Sequence, residues 1–268
     1  MKLIFHSQKN PHSHMTAKER GRESFPVRYL IRKGLIKGRV LDFGCGLGSD
    51  AKFLRQKGYN VTGYDPYYAP DQPQGKFDTI ICLYVLNVLL PKEQEYVLMV
   101  VSELLLPEGS AYFAVRRDIR RDGFRLHLKH RVEVYQCSVI LPYQSILRTD
   151  HCEIYRYRHY NQLSSPSTPL MCSSCIPAND YKLLTESTIA YAVLARRPIS
   201  PGHALVIPKK HFTHYLQIPR YTIDSCWLVV ERVKQLLNER FYPKFFNIKV
   251  DTDTVTGHVY IHIIPQYA

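Results

Sequence analysis

Residues 38–50 read GRVLDFGCGLGSD, and this stretch decides the fold of the first half of the chain. RVLDF at 39–43 is a short apolar run of strand length, and a Gly-rich turn follows it directly. Gly44, Gly46 and Gly48 allow positive φ and let a ligand come close to the backbone. Residues 49–57 then read as a helix that Gly58 stops. Working outward, 59–64 is a second strand ending at Asp65, and FDTIICL at 77–83 is a third. Residues 91–106 form a helix, Pro107-Glu108-Gly109 a turn, and 110–115 another strand. Upstream, Val27, Leu30, Ile31 and Leu35 fall at helical spacing within 25–36, a helix that Gly38 ends. Strand–helix alternation of this kind predicts a parallel sheet with helices on both faces.

Asp65 stands 17 residues after Gly48, at the end of the second strand. An acid there can accept hydrogen bonds from both ribose hydroxyls of a nucleoside. A dinucleotide reading remains open, although GCGLGSD lacks the sixth-position Gly of GxGxxG. The motif GRVLDFGCGLG, then GYDPYY at 63–68, then FDTIICLYVLNVL at 77–89 resembles the class I S-adenosylmethionine-dependent methyltransferases. More narrowly, DPYYAP and YVLNVL resemble methyltransferases associated with DNA phosphorothioation systems. The resemblance covers roughly residues 15–160 and implies a Rossmann-like α/β domain. It implies that Asp42, Gly44, Gly46 and Gly48 line the methionine and ribose side of the cofactor, that Asp65 holds the ribose, and that residues 82–87, Leu83 and Asn87 among them, flank the transferred methyl. Asp42 could instead simply cap the turn. There is no Asp/Asn-Pro-Pro-aromatic tetrapeptide after the third strand, which disfavours methylation of exocyclic base amines. Tyr67, Tyr84, Asn87 and Asp118 are the candidates for a base.

The pattern changes after Arg116, where 132–141 and 153–160 read as antiparallel strands. NQLSSPSTPL at 161–170 carries no charge and three Ser, two Pro and one Thr, so it reads as a linker. Residues 1–22 are polar and basic and read as a loose arm, leaving 23–160 and 171–268 as the two domains. The second has strands at 189–194, 203–207, 245–251 and 259–265 and a helix at 223–240, an α+β layout.

GHVYIHIIPQ at 257–266 places His258, Tyr260 and His262 on one face of a strand, because side chains alternate with period two. PISPGHALVIPKKHF upstream ends in His211 and Phe212, and MCSSC holds Cys172 and Cys175 in C-x-x-C spacing. These pieces, in this order, resemble the histidine triad (HIT) nucleotide hydrolases and transferases over about 170–268. In that family the middle histidine attacks phosphorus. Here that place is taken by Tyr260, whose reference pKa of about 10 makes it the poorer nucleophile at neutral pH. The family's ribose-binding acid aligns with Ala195, and its phosphate segment is shortened to DTDTVTG at 251–257. The resemblance therefore implies a HIT-like scaffold with Tyr260 and His262 at the catalytic positions. Two cysteines with two histidines can make a tetrahedral zinc site, and the resemblance implies His211 and His258 as partners of Cys172 and Cys175. Two reduced surface thiols are the plainer alternative. His203 and His214 read as packing or solvent-facing residues.

Composition bounds these expectations. The chain has 268 residues, 36 Lys+Arg against 23 Asp+Glu, and a formal charge of +13. Residues 1–165 hold 25 basic and 16 acidic residues, so +9 of the excess lies there. Much of it sits in one run: Arg116, Arg117, Arg120, Arg121, Arg125, Lys129 and Arg131. That run is either a solvated surface or a phosphate-binding rim, with Phe124 and Tyr135 able to stack on bases. Seven cysteines in no regular framework predict a reduced, cytoplasmic compartment. No signal peptide is apparent, and the apolar run at 97–106 is too short to span a bilayer. The expectation is thus a methyltransferase fused to a HIT-like domain. The methyl acceptor is nucleotide-linked or a nucleic acid, the cofactor is S-adenosylmethionine with Zn2+ in the second domain, and a homodimer could form through that domain. Two alternatives stay beside it: a HIT domain that retains phosphohydrolase or transferase activity, and a nucleotide or cofactor sensor without methyl transfer.

Overall fold

A computed structural model describes residues 8–162, 172, 174–175 and 182–267. The chain divides into two compact units, Met1–His159 and Tyr160–Ala268.

The first unit is built on a six-stranded sheet. Its strands are β1 (Arg39–Phe43), β2 (Asn60–Tyr64), β3 (Phe77–Leu83), β4 (Leu105–Arg116), β7 (Gln144–Arg148) and β8 (Cys152–Tyr157), in the order β2-β1-β3-β4-β8-β7. The first four run parallel, and β8 and β7 are antiparallel additions. Alternation along each strand fills both faces. Leu41, Phe43, Ile80, Cys82 and Phe113 join Val97, Val100 and Val101 of α3 (Pro91–Leu104). Val40, Ile81, Tyr112 and Ala114 join Val27 and Leu30 of α1 (Phe25–Arg32) and Ala51 and Leu54 of α2 (Ser49–Gln56). The chain leaves β1 toward β2 on one side and returns to β3 on the other. A crevice opens at such a switch point, outside the carboxyl ends of the strands.

Several details differ from the sequence expectation. Helix α1 stops at Arg32, because Gly34 takes φ +63 and turns the chain so that Leu35 N donates to Leu30 O at 3.0 Å. Residues 105–116 are one strand rather than a helix end, a turn and a strand: Leu105 already pairs with Phe77, and the register then jumps so that Ser110 lies opposite Thr79. The basic run forms a separate two-stranded ribbon, β5 (Gly123–His127) with β6 (Val132–Gln136). The strands expected at 132–141 and 153–160 do not pair with each other; β8 pairs with β4 and β7. The expected loose arm also differs, since residues 8–22 lie against the unit. Buried Asn10 donates to Val88 O (2.9 Å) and Glu93 Oε2 (3.2 Å), and Arg20 pairs with buried Asp50 at 2.7 Å. Of the linker residues, Asn161 and Gln162 sit in a short 3-10 turn, and 163–170 lie outside the described residues.

The second unit is a five-stranded antiparallel sheet in the order β12-β13-β11-β10-β9. Its strands are β9 (Leu183–Glu186), β10 (Ala190–Leu194), β11 (Ala204–Pro208), β12 (Phe245–Thr252) and β13 (Val259–Gln266). Helix α4 (Arg220–Phe241) packs across β9, β10, β11 and β13, with Val229, Val230, Val233 and Leu237 buried. On β13 the buried Val259, Ile261 and Ile263 alternate with the half-buried Tyr260 and His262. No described helix is long and apolar enough to cross a membrane.

Candidate functional site

A cavity of about 530 Å³ opens at the carboxyl ends of β1 and β3. Gly44, Gly46, Asp65 and Leu83 line it. The Gly-rich turn is pinned to the next strand: Gly44 N and Cys45 N both donate to Tyr64 O, at 2.7 and 3.0 Å. Gly44 has φ +76, and a Cβ there would stand 2.4 Å from Val85 Cγ2. Only glycine lets the chain turn this tightly against the β3 loop. Asp65 Oδ2 accepts from Gly46 N at 3.1 Å, and Oδ1 accepts from Tyr67 N and Tyr68 N at 2.9 and 3.1 Å. A carboxylate has about four acceptor positions. Three are used on the backbone, and Asp65 still faces the cavity with acceptor capacity to spare.

The other sequence-derived residues sit around this wall rather than on it. Gly48 lines a neighbouring depression with Ala69 and Arg55. Asp42 lies beneath the turn, 3% exposed, and its Oδ2 has no hydrogen-bond partner. Burial, and then the adjacent Asp50 carboxylate, pushes it up to about 8. Asn87 is not among the lining residues. Its Oδ1 accepts from Arg116 N (2.7 Å) and its Nδ2 donates to Cys137 O (2.8 Å), so it clamps the chain beyond β4.

The opposite wall contains residues that sequence reasoning missed. Ser13, His14, Ala17 and Arg20 come from the N-terminal segment, and His14 stacks on Tyr67 with ring centroids 3.8 Å apart. His127 and Gln136 come from the ribbon, and His151 from the turn before β8. Nothing in the local pattern of residues 8–22 marks them as a wall, because their partners lie 29 to 83 positions away. The candidate bases are poorly suited. Tyr67 and Tyr84 are raised by burial, and the Arg116 fork on Asp118 (2.9 and 2.8 Å) lowers that carboxyl. Tyr84 holds φ +63, an uncommon conformation for a bulky residue, at the edge of the cavity.

In the second unit, one ligand atom from each of Cys172, Cys175, His211 and His258 falls within 4.8 Å of the others. His258 Nδ1 is 3.4 Å from Cys172 Sγ and 3.6 Å from Cys175 Sγ, and His211 Nδ1 is 3.4 Å from Cys175 Sγ. A tetrahedral zinc ion separates sulfur and nitrogen ligands by about 3.5 Å, from Zn–S near 2.3 Å and Zn–N near 2.05 Å. The donor set therefore fits. His258 Nε2 lies 3.0 Å from Pro208 O, and a carbonyl can only accept, so Nε2 carries the proton and Nδ1 offers its lone pair. Burial, then His211, lowers His258 to about 4, keeping it neutral.

Further along β13, Tyr260 presents its hydroxyl to Ser174 Oγ at 2.8 Å and to Thr256 Oγ1 at 3.4 Å. Ser174 lies between the two cysteines, so the Tyr260 hydroxyl anchors the Cys-bearing turn. Burial raises Tyr260, away from the phenolate a nucleophile would need. His262 Nδ1 lies 3.1 Å from Nε2 of His203, whose Nδ1 accepts from Ile199 N at 3.2 Å. Since His203 Nδ1 accepts, its Nε2 donates to His262. His203, expected as packing, is therefore the residue that orients His262. Ala195 supplies no carboxylate, and its N–H donates to His203 O at 2.9 Å.

Two classes of domain account for these sites. A family model described as a methyltransferase domain matches residues 19–164, more than half of the chain, and one described as a HIT domain matches 177–268. The chain belongs to the methyltransferase-domain family and carries a HIT domain after it. Among curated proteins it is 30% identical over 86 residues to an uncharacterised HIT-like protein of Mycoplasma pneumoniae, covering 31% of this chain and 60% of that one. It is 27% identical over 89 residues to the bis(5'-adenosyl)-triphosphatase of Dictyostelium discoideum, covering 32% and 60%. It is 31% identical over 107 residues to an uncharacterised HIT-like protein of Methanocaldococcus jannaschii, covering 36% and 80%. The chain spans 60% of the length of the first two of these relatives. A zinc-bound histidine triad family protein from Mycobacterium smegmatis matches with 23% identity, 35% of this chain, 72% of that chain and a TM-score of 0.33.

Proposed function

We propose that the protein transfers a methyl group from S-adenosylmethionine to a nucleotide-linked or nucleic-acid acceptor. The observation that carries this reading is the cavity at the ends of β1 and β3, with the Gly44–Gly46 turn on its floor and Asp65 in its wall. The cofactor would supply an electrophilic methyl on a sulfonium. The chain's part is positioning and exclusion of water. Asp65 accepts from a ribose hydroxyl at its remaining acceptor position, the glycine turn admits the carboxypropyl arm, and the His14–Tyr67 stack closes one side. His127, Gln136 and His151 face the acceptor end. In the second unit, Cys172, Cys175, His211 and His258 would hold Zn2+, which would tie the Cys-bearing turn to the ends of β11 and β13. That unit serves as a nucleotide-binding module without attack on phosphorus, because the residue at the nucleophile position is a neutral tyrosine engaged by Ser174. The paired His203 and His262 favour a second reading, residual phosphoryl transfer.

Calorimetry with S-adenosylmethionine on wild type and Asp65→Ala tests the first reading. Loss of charge-assisted hydrogen bonds worth about 1.5–3 kcal/mol predicts roughly 10- to 150-fold weaker binding. Wild-type protein that binds no cofactor would sink it. Labelled methyl donor offered with DNA, RNA, nucleotides and small metabolites then identifies the acceptor, and labelling of protein or lipid alone contradicts the acceptor class. Turnover of adenosine phosphoramidate, abolished by His262→Ala, would establish the second reading.

A further inference from the structure

The β5–β6 ribbon has two faces of different chemistry, and the pairing register shows which residues share each. Phe124 lies opposite Tyr135 and Leu126 opposite Glu133, while Gly123 lies opposite Gln136, Arg125 opposite Val134 and His127 opposite Val132. His127 and Gln136 stand in the cavity wall, and Val134 is buried, so that second set faces inward. The outward set is exposed: Phe124 at 44% and Leu126 at 59%. The Phe124 and Tyr135 rings meet edge to face, 5.4 Å apart at 63°. The turns that flank the two strands carry Arg120, Arg121, Lys129 and Arg131, all exposed, and none is ion-paired among the described residues.

We infer that this ribbon is the acceptor-reading element of the first unit, and that its outer face takes a single-stranded nucleic acid. The inference rests on the methyltransferase reading above and narrows its acceptor. Exposed aromatic rings stack on bases whose faces are open, as in single strands and loops, and the surrounding cations follow the phosphates. A duplex hides its base faces and would leave Phe124 without a partner. The inward face, with His127 and Gln136, offers hydrogen-bonding groups to a base that turns into the cavity, whose volume of about 530 Å³ exceeds that of one nucleobase. An anionic lipid surface would also meet cations and apolar side chains, but the polar inward face beneath the ribbon suits a nucleobase rather than an acyl chain.

The test is fluorescence anisotropy of labelled 15-nucleotide oligo(dT) and oligo(rU), and of a duplex of equal length, with the full chain. Wild type should bind the single strands more tightly than the duplex. Phe124→Ala should weaken single-strand binding roughly tenfold, and Phe124→Tyr should retain it. The double variant Arg121→Ala/Lys129→Ala should reduce the salt dependence by about 1.4 in log K against log salt, from two phosphate contacts. Equal binding of duplex together with no effect of Phe124→Ala would overturn the inference. So would binding to phosphatidylserine vesicles with none to the oligonucleotides. Calorimetry with S-adenosylmethionine runs in parallel. Unchanged cofactor affinity in the variants shows that they fold, and no cofactor binding by wild type refutes the methyltransferase reading while the anisotropy still decides the ribbon.

Discussion

Replacing Asp42 by asparagine should remove the fall in stability that this one carboxyl is expected to impose on the first unit as pH rises from 5 to 8. The carboxyl is 3% exposed, one oxygen has no partner, and burial followed by Asp50 raises its pKa from 3.8 to about 8, against the pull of Arg20. The unfolded chain releases this proton near pH 4, whereas the folded chain keeps it to about pH 8. Between those values the native state holds one proton more. Its advantage is therefore complete below pH 4 and is lost as pH rises toward 8, with a slope approaching 1.4 kcal/mol per pH unit, about 3 kcal/mol between pH 5 and 7.5. Asparagine is nearly the shape of the protonated acid and does not titrate. The two proteins should be close in stability at pH 5, with the variant ahead by about 3 kcal/mol at pH 7.5. Urea unfolding at half-unit steps measures this. The single tryptophan, Trp227, belongs to the second unit, so the first must be followed by hydrogen exchange of the β1 amides or by far-UV circular dichroism. Parallel curves for the two proteins would show that Asp42 is already ionised at pH 5 and would refute the reasoning.

Other outcomes follow from the same geometry. Gly48→Ala meets no atom within 4 Å and carries only the left-handed backbone cost of about 1–2 kcal/mol, whereas Gly44→Ala adds a 2.4 Å approach to Val85 Cγ2 and should cost above about 3 kcal/mol, read by urea unfolding. Cys175→Ser should lower the metal content found by plasma mass spectrometry. It should also bring the second unit's unfolding, followed by Trp227 fluorescence, to the midpoint that wild type shows after chelation. Tyr260→Phe removes a hydroxyl hydrogen bond to Ser174 and should cost about 1 kcal/mol in the same assay, with the metal retained.

The strands that carry the two sites were legible in the sequence because their signals are local. RVLDF before three closely spaced glycines can hardly be anything but a strand and a ligand-approachable turn, and HVYIH has period two. The ends of elements were less so. Gly34 and Gly38 both take positive φ, and which of them stops α1 depends on the contacts of Leu30 with the sheet. Residues 105–109 look like a helix end and a turn by composition, yet Phe77 draws Leu105 into the sheet. The far wall of the cavity was not legible at all. His14 lies more than a hundred positions before His127 and His151, and the three meet only through the tertiary fold. In the sequence His203 reads as a packing or solvent-facing residue for the same reason, since its partner His262 lies 59 positions away.

The bond between Tyr260 and Ser174 has a consequence for protein engineering. A designer wishing to introduce phosphoryl transfer would begin by replacing Tyr260 with histidine. The imidazole would then face a serine already committed to that spot by its neighbours Cys172 and Cys175, rather than open space for a phosphate. Position 260 and the Cys-bearing turn form one mechanical part, and changing the chemistry there means rebuilding the loop, not a single codon.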